Sequence, residues 1–185
     1  EVKTQDLTET LLTLAYLGIS DFGNFSWFEK PSSGALDFAL KKLESLSLIE
    51  NSKITELGRK VVKYPLPLRL SLLLENFKIE KKEVLGAWIT ALLSERNSAS
   101  HETAQEDCDL IFELKKPPGY LEKYKKVVVQ LSAAAGSYRW NDQDHDILKK
   151  ILVKSFADRL GKKRSISSNK GMLSTGRGVV ITKQT

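Results

Sequence analysis

The side chains best able to do chemistry in this sequence are cations. Lys162, Lys163, Arg164, Lys170 and Arg177 fall within sixteen residues that hold no carboxylate, and Arg159 stands just upstream. At that density, ammonium and guanidinium groups bind phosphates by releasing the counterions condensed on a polyanion, so affinity falls steeply with salt. Residues 147–185 carry ten of the 29 lysines and arginines and one of the 23 carboxylates, a net +9, which leaves residues 1–146 at −3. The chemistry expected of this end is nucleic-acid backbone binding; the plainer alternative is a solvated basic surface. Arg59 and Arg69, on either side of Pro65-Leu66-Pro67-Leu68, are two further candidates, either for phosphate or for bracing a junction through carboxylates or carbonyls. Tyr138 and Trp140 are rings on which a base could stack.

Other motifs fall short. Asp142, Asp144 and Asp146 mimic the first ligands of a calcium loop, but Ile147 takes the place of its glycine and Val153 that of its last glutamate, so helix capping is expected. His101 and His145 lack a partner ligand at metal-binding spacing. Cys108 is the one cysteine, which excludes an internal disulfide and points to an inert thiol. Gly161-Lys162-Lys163 is not a phosphate loop, because Phe156 replaces its first glycine and Lys163 its serine or threonine. Ser167 and Lys170 match a serine-x-x-lysine string without the accompanying acyl-transfer motifs. Phosphoryl transfer needs a phosphate-cradling loop and a magnesium-holding carboxylate, and no such string occurs. The chain is therefore expected to be non-catalytic, with no cofactor or metal of its own.

The elements that must position these groups are mainly helical. Ala35, Leu36, Ala39, Leu40, Leu43 and Leu46 follow helical spacing. Leu48 and Ile54 then flank Asn51-Ser52 as a small hairpin. Thr55 caps a short helix, Glu56 to Lys63, that must stop before Pro65. A second helix is expected to start at once with Leu66, Leu70, Leu73, Leu74 and Phe77 on one face. Val84, Leu85, Trp88, Ile89, Leu92 and Leu93 make an amphipathic helix, with Trp88 in the core; Asp107 to Leu114, Pro118 to Ala135 and Asp144 to Leu160 are further helices. After Gly161 the rhythm changes to short alternating strands, at Arg164-Ser165-Ile166-Ser167-Ser168, then, after a turn at Asn169-Lys170-Gly171, at Met172-Leu173-Ser174 and Val179-Val180-Ile181. One or two such strands are not a domain and need the bundle to hold them. The expected domains are residues 1–66, 67–160 and 161–185.

Four stretches in order resemble the C-terminal region of DEAH-box RNA helicases, most closely the bacterial HrpB branch. Thr55, Leu57, Gly58, Arg59, Pro65, Leu66, Arg69 and Leu70 match the family's threonine-x-leucine-glycine-arginine helix and following leucine-proline-leucine, although Pro67-Leu68 is out of register. Glu1-Val2 and Leu7, followed by Leu11 to Ile19 and Trp27-Phe28-x-x-Pro31, look like the entry into its winged helix. Ala91-Leu92-Leu93-Ser94-Glu95-Arg96 resembles a branch signature, and Asp158-Arg159-Leu160 with Leu173-x-x-Gly176-Arg177-Gly178 resembles the beginning of an OB-fold.

The resemblance implies a winged helix, a ratchet-like helical bundle and a truncated OB-fold. It implies that the region grips single-stranded RNA with Arg59, Arg69, Arg159, Lys162, Lys163, Arg164, Lys170 and Arg177, and couples to motor domains before Glu1. Those domains would hold the ATP and magnesium. With no apolar leader, no membrane-length apolar run and no starting methionine, the chain is expected to be an excised, cytoplasmic segment. Two other readings stay open: a winged-helix DNA binder, and a scaffold on which Trp27, Phe28 and the acidic bundle dock a partner protein. The first is weakened because Gly34 to Leu48 offers only Lys41 and Lys42, beside Asp37 and Glu44.

Overall fold

The computed structural model describes residues 6–94, 109–132, 138, 140–165, 167–174 and 176–180. Glu1 to Gln5, Glu95 to Arg96, His101, Cys108, Ala133 to Ala135 and Ile181, all part of the expectations above, lie outside them. The chain is mainly α with a short β segment, as expected, and forms two compact units, Glu1–Glu75 and Asn76–Thr185.

In the first unit, α1 (Thr8–Tyr16) buries Leu11, Leu12, Leu14 and Ala15, and the Asp6 carboxylate accepts the Thr8 N–H at 3.0 Å. Helix α2 (Ser33–Ser45) is capped by Ser32, whose hydroxyl accepts from the Ala35 N–H, and it buries Leu36, Ala39 and Leu43. The hairpin pairs β1 (Ile49–Glu50) with β2 (Lys53–Ile54), placing Ile49 opposite Ile54. Asn51 and Ser52 both have positive φ, 50° and 59°, as the favoured two-residue hairpin turn requires. Leu48, expected on the strand, precedes it and is fully buried.

Helix α3 (Glu56–Val61) sits on that hairpin. The Thr55 hydroxyl accepts the Gly58 N–H at 3.0 Å and donates to the Ser47 carbonyl at 2.8 Å, tying the helix start to the approach of β1. Gly58 lies so close that an added Cβ would stand 2.3 Å from the Leu48 carbonyl oxygen. The next helix, α4 (Leu68–Ile79), begins two residues later than the leucine spacing predicts. Leu66 precedes Pro67, whose ring excludes helical backbone at the residue before it. The Pro67 carbonyl instead accepts the first helical bonds, from Leu70 and Ser71. Residues 71–77 are all buried, so α4 has no solvent-facing side there, and it encloses the polar Ser71, Glu75 and Asn76.

In the second unit, α5 (Glu83–Ser94) is buried continuously from Leu85 to Leu92, so the expected one-sided stripe is a helix enclosed on all sides. Gly86 admits Phe77, whose Cβ would lie 2.4 Å from any Cβ added there. Helix α6 (Asp109–Leu114) precedes the prolines. The single helix expected from Pro118 is interrupted: α7 (Pro118–Leu121), a 3-10 turn over Glu122–Tyr124, and α8 (Lys125–Leu131), after which Ser132 turns extended. Helix α9 (Asp144–Ser155) joins the end of α4 through Asn76 Nδ2, which donates to Ser155 Oγ at 3.0 Å. Its first residue, Asp144, is buried and ion-paired with Lys82 at 2.8 Å.

Three strands follow a 3-10 turn at Ala157–Arg159: β3 (Gly161–Lys163), β4 (Lys170–Leu173) and β5 (Gly178–Val180), an antiparallel sheet in the order β3-β4-β5. The strand expected over residues 164–168 lies earlier, at β3, and the Ser168 N–H donates to the Ser165 carbonyl at 3.1 Å; Lys170 and Gly171 belong to β4, not to the turn expected there. The reason is steric: a Cβ on Gly171 would lie 2.9 Å from the Lys162 carbonyl oxygen, so this glycine serves close strand approach. Ser174 ties the sheet to the end of α9, its N–H donating to the Leu160 carbonyl and its hydroxyl to the Ala157 carbonyl, both at 2.7 Å.

Candidate nucleic-acid interface

The register of the sheet decides where its cations go. Lys162 faces Met172, and Met172 faces Gly178; Lys170 faces Val180. The Arg164 N–H donates to the Lys170 carbonyl at 3.0 Å, which extends the same ladder by one pair. Residues directly opposite one another share a face, and alternate residues of a strand do too. One face therefore carries Lys162, Arg164, Lys170, Met172, Gly178 and Val180. Met172 and Val180 are 48% and 59% exposed, so this face is open to solvent. The opposite face carries Gly171, Leu173 and Val179, all buried or half-buried, with Lys163 at its end.

Three cations thus surround two apolar side chains on one exposed surface, the arrangement that lets phosphates and bases be met side by side. Arg177 is exposed in the β4–β5 turn next to Gly176, whose φ of +82° shapes that turn. Arg159 is exposed in the 3-10 turn before β3. Among the described residues, none of Arg159, Lys162, Lys163, Arg164, Lys170 and Arg177 has an ion-pair partner. Lys78 pairs with Glu83, Lys82 with Asp144, Lys125 with Glu122 and Lys150 with Glu80, whereas Lys41, Lys126 and Lys149, like the sheet cations, have no ion pair among the described residues. Cations left without carboxylates remain available to an external anion.

The remaining candidates are placed apart from the sheet. Arg59 is exposed in the last turn of α3, with no ion pair among the described residues, and Arg69, in α4, is half-buried and already engaged. The two candidate stacking rings are already committed to carboxylates. The Tyr138 hydroxyl donates to Asp144 at 2.6 Å, and Trp140 Nε1 donates to Asp142 at 3.0 Å. Burial first, and then the Asp144 carboxylate, raises the Tyr138 phenol above its ordinary value. An acidic setting of this kind disfavours an approaching phosphate.

The outward positions of α2 are Asp37, Phe38, Lys41, Glu44 and Ser45, while Lys42 is tied to Asp6 at 2.6 Å. That surface is of mixed charge, with one lysine beside two carboxylates. Trp27, taken as a docking residue, is half-buried, donates to the Phe22 carbonyl at 2.9 Å and packs edge-on against Phe25. Phe28 is fully exposed. Of the calcium-loop look-alike, Asp146 projects into solvent and Asp144 is consumed by Lys82 and Tyr138. No helix among the described residues is long and apolar enough to cross a membrane.

No family model matches the sequence. Among curated proteins, the chain is 23% identical over 181 residues to the ATP-dependent RNA helicase HrpB of Escherichia coli, covering 98% of this chain and 21% of that protein. It is 39% identical over 67 residues to HrpA of Borreliella burgdorferi, and 35% identical over 110 residues to the pre-mRNA-splicing helicase prp22 of Schizosaccharomyces pombe. These stretches are 8% and 9% of those two proteins. The crystal structure of E. coli HrpB, a DExH-box NTPase, superimposes on 97% of the chain with a TM-score of 0.73 at 22% identity, using 21% of that structure. The chain spans about a fifth of the HrpB length and shares the fold of that segment. The resemblance carried by its motifs thus recurs along nearly the whole sequence.

Proposed function

We propose that this chain is a non-catalytic accessory region of a DEAH-box ATP-dependent RNA helicase, gripping single-stranded RNA and transmitting that grip to motor domains of the same protein. The observation that carries the proposal is the exposed sheet face, where Lys162, Arg164 and Lys170, without carboxylate partners among the described residues, stand beside Met172 and Val180. In this reading residues 1–66 are a winged helix, residues 67–160 a ratchet-like bundle and residues 161–185 the start of an OB-fold. The protein would be cytoplasmic.

The mechanism is electrostatic and mechanical. Phosphates meet the Lys162, Arg164 and Lys170 side chains, which are held on one face by the pairing of β3 with β4, while Met172 and Val180 offer apolar contact to bases. Arg159, Lys163 and Arg177 extend the footprint from the rim of the sheet. The Ser174 bonds to Ala157 and Leu160 pass force from the sheet to the end of α9. Arg59, exposed, suits a phosphate; Arg69, half-buried in α4, suits bracing. Hydrolysis of ATP with magnesium would belong to the motor domains, since this sequence has no phosphate loop.

The exposure of Phe28 also favours a docking surface for a protein partner. Fluorescence anisotropy of a labelled single-stranded RNA, with duplex DNA of equal length alongside, tests the proposal. Tighter binding to the RNA supports it, and equal binding to both reduces the cations to a nonspecific polycation. Loss of RNA binding on deleting residues 161–185 assigns the grip to the sheet; retention of binding points to the rest of the chain.

A further inference from the structure

The second unit holds another concentration of cations, built around rings rather than strands. Residues 115–126 contain five lysines and one carboxylate, a net +4 within a part of the chain that is otherwise acidic. At its centre is Tyr120, half-buried in α7. Lys116 Nζ lies 4.2 Å from the Tyr120 ring centre and 5.0 Å from that of Phe112, and it bridges to Glu113 at 3.0 Å. Only 13% of the Lys116 side chain is exposed, so this cation is a fixed support. Lys123 differs. Its ammonium lies 4.4 Å from the Tyr120 ring centre and 4.8 Å from that of Tyr124, but the residue is exposed. At the preceding residue, a Cβ on Gly119 would meet nothing within 4 Å among the described residues beyond its chain neighbours.

The Tyr120 ring thus contacts two ammonium groups, the largely buried Lys116 and the exposed Lys123. Every nucleobase has a π-face able to take the place of Lys123 against Tyr120, and the displaced ammonium then lies within reach of the adjoining phosphate. Lys126, exposed and without an ion pair among the described residues, offers a second phosphate contact. A base inside a duplex cannot make such a stack, because its faces are already taken.

We propose that Tyr120, framed by Lys116 and Lys123, is a stacking site for one base of a single-stranded nucleic acid, with Lys123 and Lys126 on its phosphates. This rests on the reading of the chain as a strand-binding region and adds a contact separate from the sheet.

The test uses the full chain and a single-stranded RNA bearing one photoreactive uridine, with crosslinks mapped by mass spectrometry. Affinity is measured in parallel for Tyr120→Leu, Tyr120→Phe, Lys123→Gln/Lys126→Gln and Lys162→Gln/Lys170→Gln. The expected result is a crosslink at Tyr120, a loss of roughly fivefold or more in affinity for Tyr120→Leu, and near-normal binding for Tyr120→Phe. The Tyr120→Leu salt slope should stay at the wild-type value, because stacking releases no counterions, whereas Lys123→Gln/Lys126→Gln should lower it. Those two lysines are exposed, so their variant remains informative if Tyr120→Leu fails to fold. Wild-type affinity in both Tyr120→Leu and the lysine variant, with weakened binding in Lys162→Gln/Lys170→Gln, overturns the stacking site and leaves the sheet reading standing. A wild-type chain that binds no RNA at low salt overturns both.

Discussion

Replacing Gly58 with alanine should destabilise the first unit, although Gly→Ala inside a helix ordinarily helps. The new methyl would stand 2.3 Å from the Leu48 carbonyl oxygen and 2.8 Å from Ile54 Cγ1. Neither neighbour can easily give. Leu48 is fully buried, and its carbonyl accepts the Thr55 N–H at 3.0 Å and the Thr55 hydroxyl at 3.1 Å. Relieving the clash means lifting α3 off the hairpin or breaking those bonds. Overpacking of this sort costs about 1–3 kcal/mol, and the alanine propensity gain offsets at most about 1 kcal/mol of it. A 2.3 Å approach to a backbone oxygen belongs to the upper part of that range, about 2–3 kcal/mol, so the expected outcome is a net loss of about 1–2 kcal/mol. Gly34 is the internal control: it lies in the first turn of α2 with nothing beyond its own helix and chain neighbours within 4 Å of an added Cβ, so Gly34→Ala should stabilise by about a few tenths of a kcal/mol. Because the chain forms two compact units, the assay is hydrogen exchange along a urea series, read on peptides from residues 33–61. Gly58→Ala as stable as wild type, or the same sign of change for both substitutions, would refute the reasoning.

Three further outcomes follow from the same geometry. Gly86→Ala should lower the stability of the second unit by about 1–3 kcal/mol, since its methyl would meet Phe77 Cβ at 2.4 Å, and peptides covering α5 should report it in the same exchange experiment. Thr55→Ala removes the hydroxyl that accepts from Gly58 and donates to Ser47, for an expected loss of about 1–2 kcal/mol by urea unfolding that Thr55→Ser largely restores. Burial works to raise the Asp6 carboxyl, but its bonds to Lys42 and Thr8 outweigh this and hold it below its ordinary value. A carboxyl depressed on folding stabilises above its unfolded pKa and loses that contribution as pH falls through the folded one. Acid titration below about pH 4 should therefore cost wild type a few tenths of a kcal/mol more than Asp6→Asn, the small size reflecting an exposed pair.

Much of the fold could be read from local chemistry. The Asn51-Ser52 hairpin, the Thr55 cap and the cation-rich end all follow from residue type and spacing, and the structure contains each. What could not be read depended on packing. The interruption of the helix after Pro118 and the enclosure of α5 are set by neighbours distant in sequence. The two glycines with the tightest surroundings, Gly58 and Gly86, look alike in the sequence until Leu48 and Phe77 are placed against them. At the candidate site the cations were visible as a count, but not their division between two faces, which a one-residue change of register would invert. The turn at Asn169-Lys170-Gly171 was misplaced for this reason, since a glycine that admits a neighbouring strand looks the same in sequence as one that makes a turn. Tyr120 was missed altogether; the lysines spaced on either side of it, Lys116 and Lys123, were the available signal.

The most direct measurement is the salt dependence of single-stranded RNA affinity for wild type and for Lys162→Gln/Arg164→Gln/Lys170→Gln. All three residues are exposed, so the variant should keep its fold. Three phosphate contacts on a single strand contribute about 2 to the slope of log affinity against log salt, which is about a twentyfold fall in affinity between about 50 and 200 mM salt. The predicted result is a slope shallower by about 2 in the triple variant, with weaker binding at low salt. A variant that binds RNA as tightly as wild type and with the same slope would contradict the assignment of the strand grip to this sheet.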